Sequence, residues 1–207
     1  MFNWMLPEKH AIAILKKDHD TVKELFDEFE SVETPGAREK IITQAITELK
    51  IHAVIEEEIF YPAVRAHIGG KVMNEADEEH HVARVLIAEL DQDRADHGHH
   101  EAKFTVLAES VRHHIREEEN EMLPKAKELE MDFEALGQRM LDRKKKLQKD
   151  GIPSDAEHAM VAKAGGKTDS PAAEAGRKKT AAPRTRAKAS KKVSVGRSTK
   201  ASSHAGE

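Results

Sequence analysis

Residues 51–62, IHAVIEEEIFYP, return 62 positions later as residues 113–124, HHIREEENEMLP. His52 answers to His114, Glu56 to Glu118 and Pro62 to Pro124. A histidine four residues ahead of a glutamate on a helix sets imidazole and carboxylate about one turn apart on one face. A second echo, displaced by 61, carries His19 in LKKDHDTVKELF (15–26) onto His80 in DEEHHVARVLI (77–87). Two such turns and two more histidines make a nitrogen and oxygen donor set large enough for two metal ions.

Outward from the repeat, four long segments have helical periodicity, bounded by turn residues. They run from about Glu8 to Ser31 (ended by Pro35-Gly36), Ala37 to His67 (ended by Gly69-Gly70), Lys71 to Asp96 and Glu101 to Leu129. A shorter helix, about Asp132 to Lys149, ends at Gly151. Short connections between long helices predict an all-α, up-down-up-down four-helix bundle over residues 1–150. Steps of three and four residues give each helix an apolar seam. The seams are Ile12, Leu15, His19, Val22, Phe26; Ile42, Leu49, His52, Glu56, Ile59; Met73, Ala76, His80, Ala83, Ile87; and Phe104, Leu107, Val111, His114, Glu118. All six donors fall on seams. A register through His81 or His113 collects polar neighbours, so His80 and His114 are expected inward and their partners wet. At about 1.5 Å per residue the six lie within about a turn of one height.

The chain has no cysteine, which excludes disulfides, thiol nucleophiles and iron–sulfur ligation. No apolar run approaches the ~18 residues that would span a bilayer. The expectation is a soluble, cytoplasmic protein with no membrane partner. The net charge of −4 conceals an acidic body and a basic tail. From Gly151 onward 12 basic residues face 5 acidic ones, and residues 176–205 hold ten basic and no acidic residue. Residues 151–207, rich in Ala, Lys, Arg and Ser, bury too little to order themselves and are expected to be disordered. Such a tail can hold nucleic acid non-specifically through phosphates, or serve only as a solubilising appendage.

Two carboxylates facing each other in a bundle interior repel, and each costs several kcal/mol of desolvation unless paired or bound to a cation. A dinuclear centre removes both problems: two histidines for each metal, with Glu56 and Glu118 bridging. Imidazole with carboxylate suits iron first, then manganese or zinc. The remaining features read as ordinary structure. His97, His99 and His100 form a solvated turn. The runs at 56–58 and 117–119 are solvated faces with one inward member each, and Pro62 and Pro124 kink or end their helices beyond the ligand turn. A ferritin-like site needs Glu-x-x-His turns, and the only one, Glu78 to His81, lies off the seam.

With His19, HAVIE at 52–56, His80 and HIREE from His114, the chain resembles the hemerythrin-like HHE cation-binding domain over about residues 8–130. That resemblance implies a bundle around a non-haem di-iron centre that binds dioxygen, nitric oxide or peroxide, or handles iron. It also implies His19, His52, Glu56, His80, His114 and Glu118 as ligands. Two positions depart from the oxygen carriers. Arg84 stands where they add a histidine, and Glu118 replaces their later aspartate, with Glu119 next to it. The expected function is therefore binding or turnover of a small oxidant, as in an oxidative-stress protein. The alternative is iron sensing, storage or donation, with nucleic acid held by the tail.

Overall fold

The computed structural model describes residues 6–92 and 97–152. Among these every regular element is helical and there is no strand. The helices are α1 (Ala11–Ser31), α2 (Pro35–Ile55), α3 (Tyr61–Ile68), α4 (Gly70–Gln92), α5 (His97–Glu117), α6 (Leu123–Lys127) and α7 (Phe133–Asp150). The tail proposed for residues 151–207, and its nucleic-acid partner, fall outside the described residues except for Gly151 and Ile152. No described helix is long and apolar enough to cross a membrane.

Local chemistry sets the boundaries. The His10 ring accepts a hydrogen bond from the Ile12 amide at 3.2 Å and caps α1. Pro35 opens α2, where its missing N–H costs nothing. Asp132 caps α7 through the Ala135 amide at 2.9 Å. Gly69 at φ 99° and Gly151 at φ 82° end α3 and α7 in a conformation other residues enter at a cost.

One continuous second helix and one continuous fourth were expected, each with a kink or an end near its proline. The structure does something more specific. A π-turn, Glu56–Phe60, joins α2 to α3, and a second, Glu118–Met122, joins α5 to α6. The Tyr61 amide donates to the Glu56 carbonyl and the Leu123 amide to the Glu118 carbonyl, one residue further on than in an α-helix. Pro62 and Pro124 follow directly; each lacks an N–H and crowds the carbonyl four residues back, and widening the preceding turn relieves both. Each wide turn begins on a glutamate of the repeat.

His97, His99 and His100, expected in a solvated turn, lie in the first turn of α5; His99 is exposed, whereas His100 is buried with Nε2 3.6 Å from Glu39. The adjacent Glu101 pairs with Arg38 near the start of α2, which ties the two helix starts together.

Two apolar clusters fill the interior. One gathers Ile12, Leu15, Ile55, Phe60, Tyr61, Met73 and Met122. The other gathers Val22, Phe26, Phe29, Ile42, Leu49, Ile87, Phe104 and Val111, with Phe104 edge-on to Phe26 and Phe29 at 5.7 and 4.7 Å. Full burial of each large apolar side chain contributes roughly 1.5–3 kcal/mol. Along the chain, His19, His52, His80 and Glu118 each fall where residues of one cluster give way to residues of the other. A third, small cluster of Ile51, Val54 and Leu147 seats α7 on the outer face of α2.

Candidate metal centre

The helices deliver the six residues singled out by the repeat into one buried layer, each at most 7% exposed. His19 comes from α1, His52 from α2, His80 from α4 and His114 from α5, while Glu56 and Glu118 open the two π-turns. Their donor atoms form two groups. His19, His52, Glu56 and Glu118 make one, and Glu56, His80 and His114 the other, with atoms in each within 4.8 Å of one another. The symmetric arrangement expected from sequence is therefore met only in part, since Glu56 belongs to both groups and Glu118 to one.

All four imidazoles turn the same nitrogen inward. His19 Nε2 lies 3.1 Å from Glu118, His52 Nε2 3.2 Å from Glu56 Oε1, and His80 Nε2 3.3 Å from Glu56 Oε2. His80 and His114 face each other through their Nε2 atoms at 3.2 Å. Every Nδ1 points outward to a carboxylate. His19 meets Glu119 at 3.0 Å, His80 meets Glu57 at 2.9 Å and His114 meets Glu79 at 2.8 Å. His52 faces Asp18 across 3.8 Å, the longest of the four, because Lys144 of α7 draws Asp18 the other way at 2.5 Å. A carboxylate behind each imidazole fixes its tautomer and raises its basicity toward a cation.

Electrostatics follow this geometry. Burial alone pushes the His52 imidazole down, but the Glu56 charge and Asp18 outweigh it and raise it to about 10. His80 is raised to about 9 against burial by Glu56 and Glu57. Burial pushes the Glu56 carboxyl up, yet His52 and His80 together hold it well below the usual carboxylate range. Tyr61 is fully buried, with its hydroxyl 3.1 Å from His80 Nε2 and 3.5 Å from Glu56. Burial and the neighbouring carboxylates, Glu118 first, keep its phenol protonated well above the ordinary range. Protons thus hold the layer together where metal ions are absent, and a metal entering must displace them.

The donor chemistry fits a metal pair. His19 Nε2, His52 Nε2, Glu56 Oε1 and both Glu118 oxygens are buried, with the two imidazoles 3.1 and 3.2 Å from the carboxylates, and make no well-aligned hydrogen bond. Buried polar atoms are rarely left so, and here five of them converge on one layer. A cavity of about 420 Å³ reaches the same layer. All four histidines line it, with Leu49, Ala53, Ala83, Ile87 and Val111 forming an apolar wall, and the Lys50–Asp91 pair at 2.6 Å stands at its rim.

Sequence reasoning missed Tyr61 and the outer carboxylates Asp18, Glu57, Glu79 and Glu119. The signal for the carboxylates was present. Asp18 and Glu79 are displaced by 61 and Glu57 and Glu119 by 62, the same two intervals that relate the four histidines. Arg84 belongs to the same pattern: it bonds Glu57, while Lys23, displaced by 61, reaches Glu119 at 3.4 Å. Arg84 thus occupies the counterpart of Lys23 and braces the carboxylate behind His80. Glu119→Ala is expected to lower affinity for an ion at His19 by roughly 10–100-fold. Glu119 is partly exposed, so thermal stability should change little, and titration of the metal-free variant with Fe²⁺ reads the effect. Unchanged affinity would show that the outer carboxylate does not support His19.

Comparison with known proteins bears on the fold and the family. A DNA nickase from Nostoc sp. is 27% identical over 107 residues, which is 52% of this chain but only 30% of that protein. The crystal structure of a hemerythrin HHE cation-binding domain-containing protein from Mycobacterium kansasii superposes with a TM-score of 0.58 at 24% identity, covering 73% of this chain and 98% of that one. Residues 10–126 match the hemerythrin HHE cation-binding domain, and this chain belongs to that family.

Proposed function

We propose that the chain is a non-haem di-iron protein, built as an up-down four-helix bundle, that binds or reacts with dioxygen, peroxide or nitric oxide. His19, His52, Glu56 and Glu118 would hold one ion and Glu56, His80 and His114 the other, with manganese or zinc as weaker candidates. The observation that carries this reading is the coincidence of unsatisfied buried donors with a cavity that opens onto all four histidines. Bound iron would supply Lewis acidity and one-electron redox capacity. The protein's own groups orient and exclude. Glu57 and Glu119 fix two imidazoles, the aliphatic wall gives the approach to the layer an apolar lining, and Tyr61 keeps a hydroxyl proton beside His80 and Glu56.

Iron-loaded protein should contain two irons per chain, absorb in the near ultraviolet and consume hydrogen peroxide over many turnovers. A full complement of iron with no consumption, and no spectral response to dioxygen or nitric oxide, would reject the oxidant reading. That result would favour the second one, iron sensing or donation. The similarity to a DNA nickase and the ten basic residues between 176 and 205 add nucleic acid as a partner in this second reading. DNA retention at low salt should then vanish on truncation after Gly151.

A further inference from the structure

The chain repeats itself around the candidate centre, but the two halves are covered differently. In the first half, Asp18 stands behind His52 and its other oxygen holds the Lys144 ammonium at 2.5 Å. Ile51 and Ile55, one turn apart on α2, are buried there, and Ile51 packs with Leu147 of α7. Their counterparts 62 positions later are His113 and Glu117, and the counterpart of Asp18 is Glu79. Glu79 spends Oε2 on His114 Nδ1 at 2.8 Å and turns Oε1 toward His113 Nε2 at 3.5 Å. His113 Nε2 is also 3.2 Å from Glu117 Oε1. Where α7 brings an ammonium to Asp18 and apolar cover to Ile51, the second half offers an exposed imidazole, His113, and a half-buried carboxylate, Glu117.

Three donor atoms, one from each of Glu79, His113 and Glu117, lie within 4.8 Å of one another. One imidazole with two carboxylates suits a divalent transition-metal ion held loosely, with water completing its shell. A narrow seam of about 10 Å³, room for one water at most, is lined by Glu79, Glu117, His114 and Glu118. Glu118 is 1% exposed, and apart from the 3.1 Å approach of His19 Nε2 its oxygens make no well-aligned hydrogen bond. The seam therefore runs from Glu79 and Glu117, two half-buried members of the donor set, to the buried Glu118 carboxylate.

We propose that Glu79, His113 and Glu117 form a capture site for a divalent metal ion, which passes along this seam to the buried layer. The ion occupies the position relative to Glu79 that the Lys144 ammonium occupies relative to Asp18. The carboxylate behind His114 then serves two purposes, orienting the imidazole through one oxygen and receiving the incoming cation through the other. The inference rests on the buried layer being the destination.

The test uses the full chain stripped of metal by chelation. Calorimetric titration with Zn²⁺ should show one weakly held ion beyond those bound tightly. The double variant His113→Ala/Glu117→Gln, at one exposed and one half-buried position, should lose the weak ion and keep the tight ones. Anaerobic uptake of Fe²⁺, followed against a chromogenic chelator, should slow roughly tenfold or more in the variant and reach the same final occupancy. His67→Ala, an exposed histidine on α3, should change neither quantity. A weak ion that persists in the double variant, its absence from the unmodified protein, or an unchanged uptake rate overturns the proposal. Should the unmodified protein take no Fe²⁺ into the buried layer, the di-iron reading and the transfer step fall together, while the Zn²⁺ titration still decides whether the outer site exists.

Discussion

Glu56→Ala is expected to abolish iron binding at both histidine groups, whereas Glu118→Ala should empty one and spare the other. The asymmetry comes from position alone. Glu56 places one oxygen 3.2 Å from His52 and the other 3.3 Å from His80, so a single carboxylate serves both donor groups. Glu118 faces His19 and belongs to the first group only. Removing even an outer partner of a ligand costs roughly 10–100-fold in affinity, so deleting the shared anion should cost more than that at each ion. It also removes the charge that lets two dications share one interior. The helices should survive. His52 and His80 are held protonated mainly against burial by Glu56, and without it they shed protons rather than remain buried cations. Glu56→Gln keeps the volume and separates lost ligation from lost packing. Metal content per chain, with far-ultraviolet circular dichroism as the control for folding, decides it. Two irons retained in Glu56→Gln and Glu56→Ala would remove Glu56 from the centre and with it the proposed division into two groups.

The same two intervals explain how much the sequence disclosed. A seam of three- and four-residue steps is a rule about which face points inward, and His19, His52, Glu56, His80, His114 and Glu118 obeyed it because burial tolerates no exception to the face. That rule assigns Glu57, Glu79 and Glu119 to solvent, since each sits one residue off the seam. A glutamate has reach enough to turn back past the helix edge, and the Nδ1 of a neighbouring helix's imidazole is what it finds. The contact runs between helices, so spacing within one helix could not reveal it. The π-turns escaped for another reason. A proline states that an α-helical hydrogen bond is missing, but kinking, ending and widening all satisfy that statement. The choice at Pro62 and Pro124 depends on the packing of the residues beyond them, Tyr61 and Val64 in one case and Leu123 and Ala126 in the other. α7 was legible as a helix, whereas its seat was not, because α2 presents Ile51 and Val54 away from its inner seam.

The packing of α7 against the start of α1 depends on one glycine, and Gly137→Ala is expected to destabilise the protein by about 3 kcal/mol. A methyl group built on Gly137 would stand 1.9 Å from the Lys9 carbonyl oxygen, 2.8 Å from the Ala11 nitrogen and 2.9 Å from the Lys9 carbonyl carbon. All three are backbone atoms at the start of α1, so no side-chain rotation relieves the overlap and the two helices must separate. Overpacking costs about 1–3 kcal/mol even where side chains can adjust. Here separation also loosens Phe133, Leu136 and Met140 from the core they share with Ala11 and Ile12, and parts the Phe133 ring from His10, now stacked at 5.0 Å. Alanine's helix propensity returns about 1 kcal/mol, too little to reverse the sign. A loss of that size corresponds to a fall in Tm of roughly 6–12 °C for a chain of this length. Gly36→Ala is the matched control: nothing lies within 4 Å of the added methyl, so the propensity gain should appear alone. The effect should also reach the candidate centre. As α7 shifts, Lys144 retreats from Asp18, leaving that carboxylate free to close the 3.8 Å gap to His52 Nδ1. Thermal unfolding of the metal-free forms measures the first effect and metal titration of the same samples the second. A Gly137→Ala protein as stable as Gly36→Ala would mean that α7 is not held against α1 as the geometry requires.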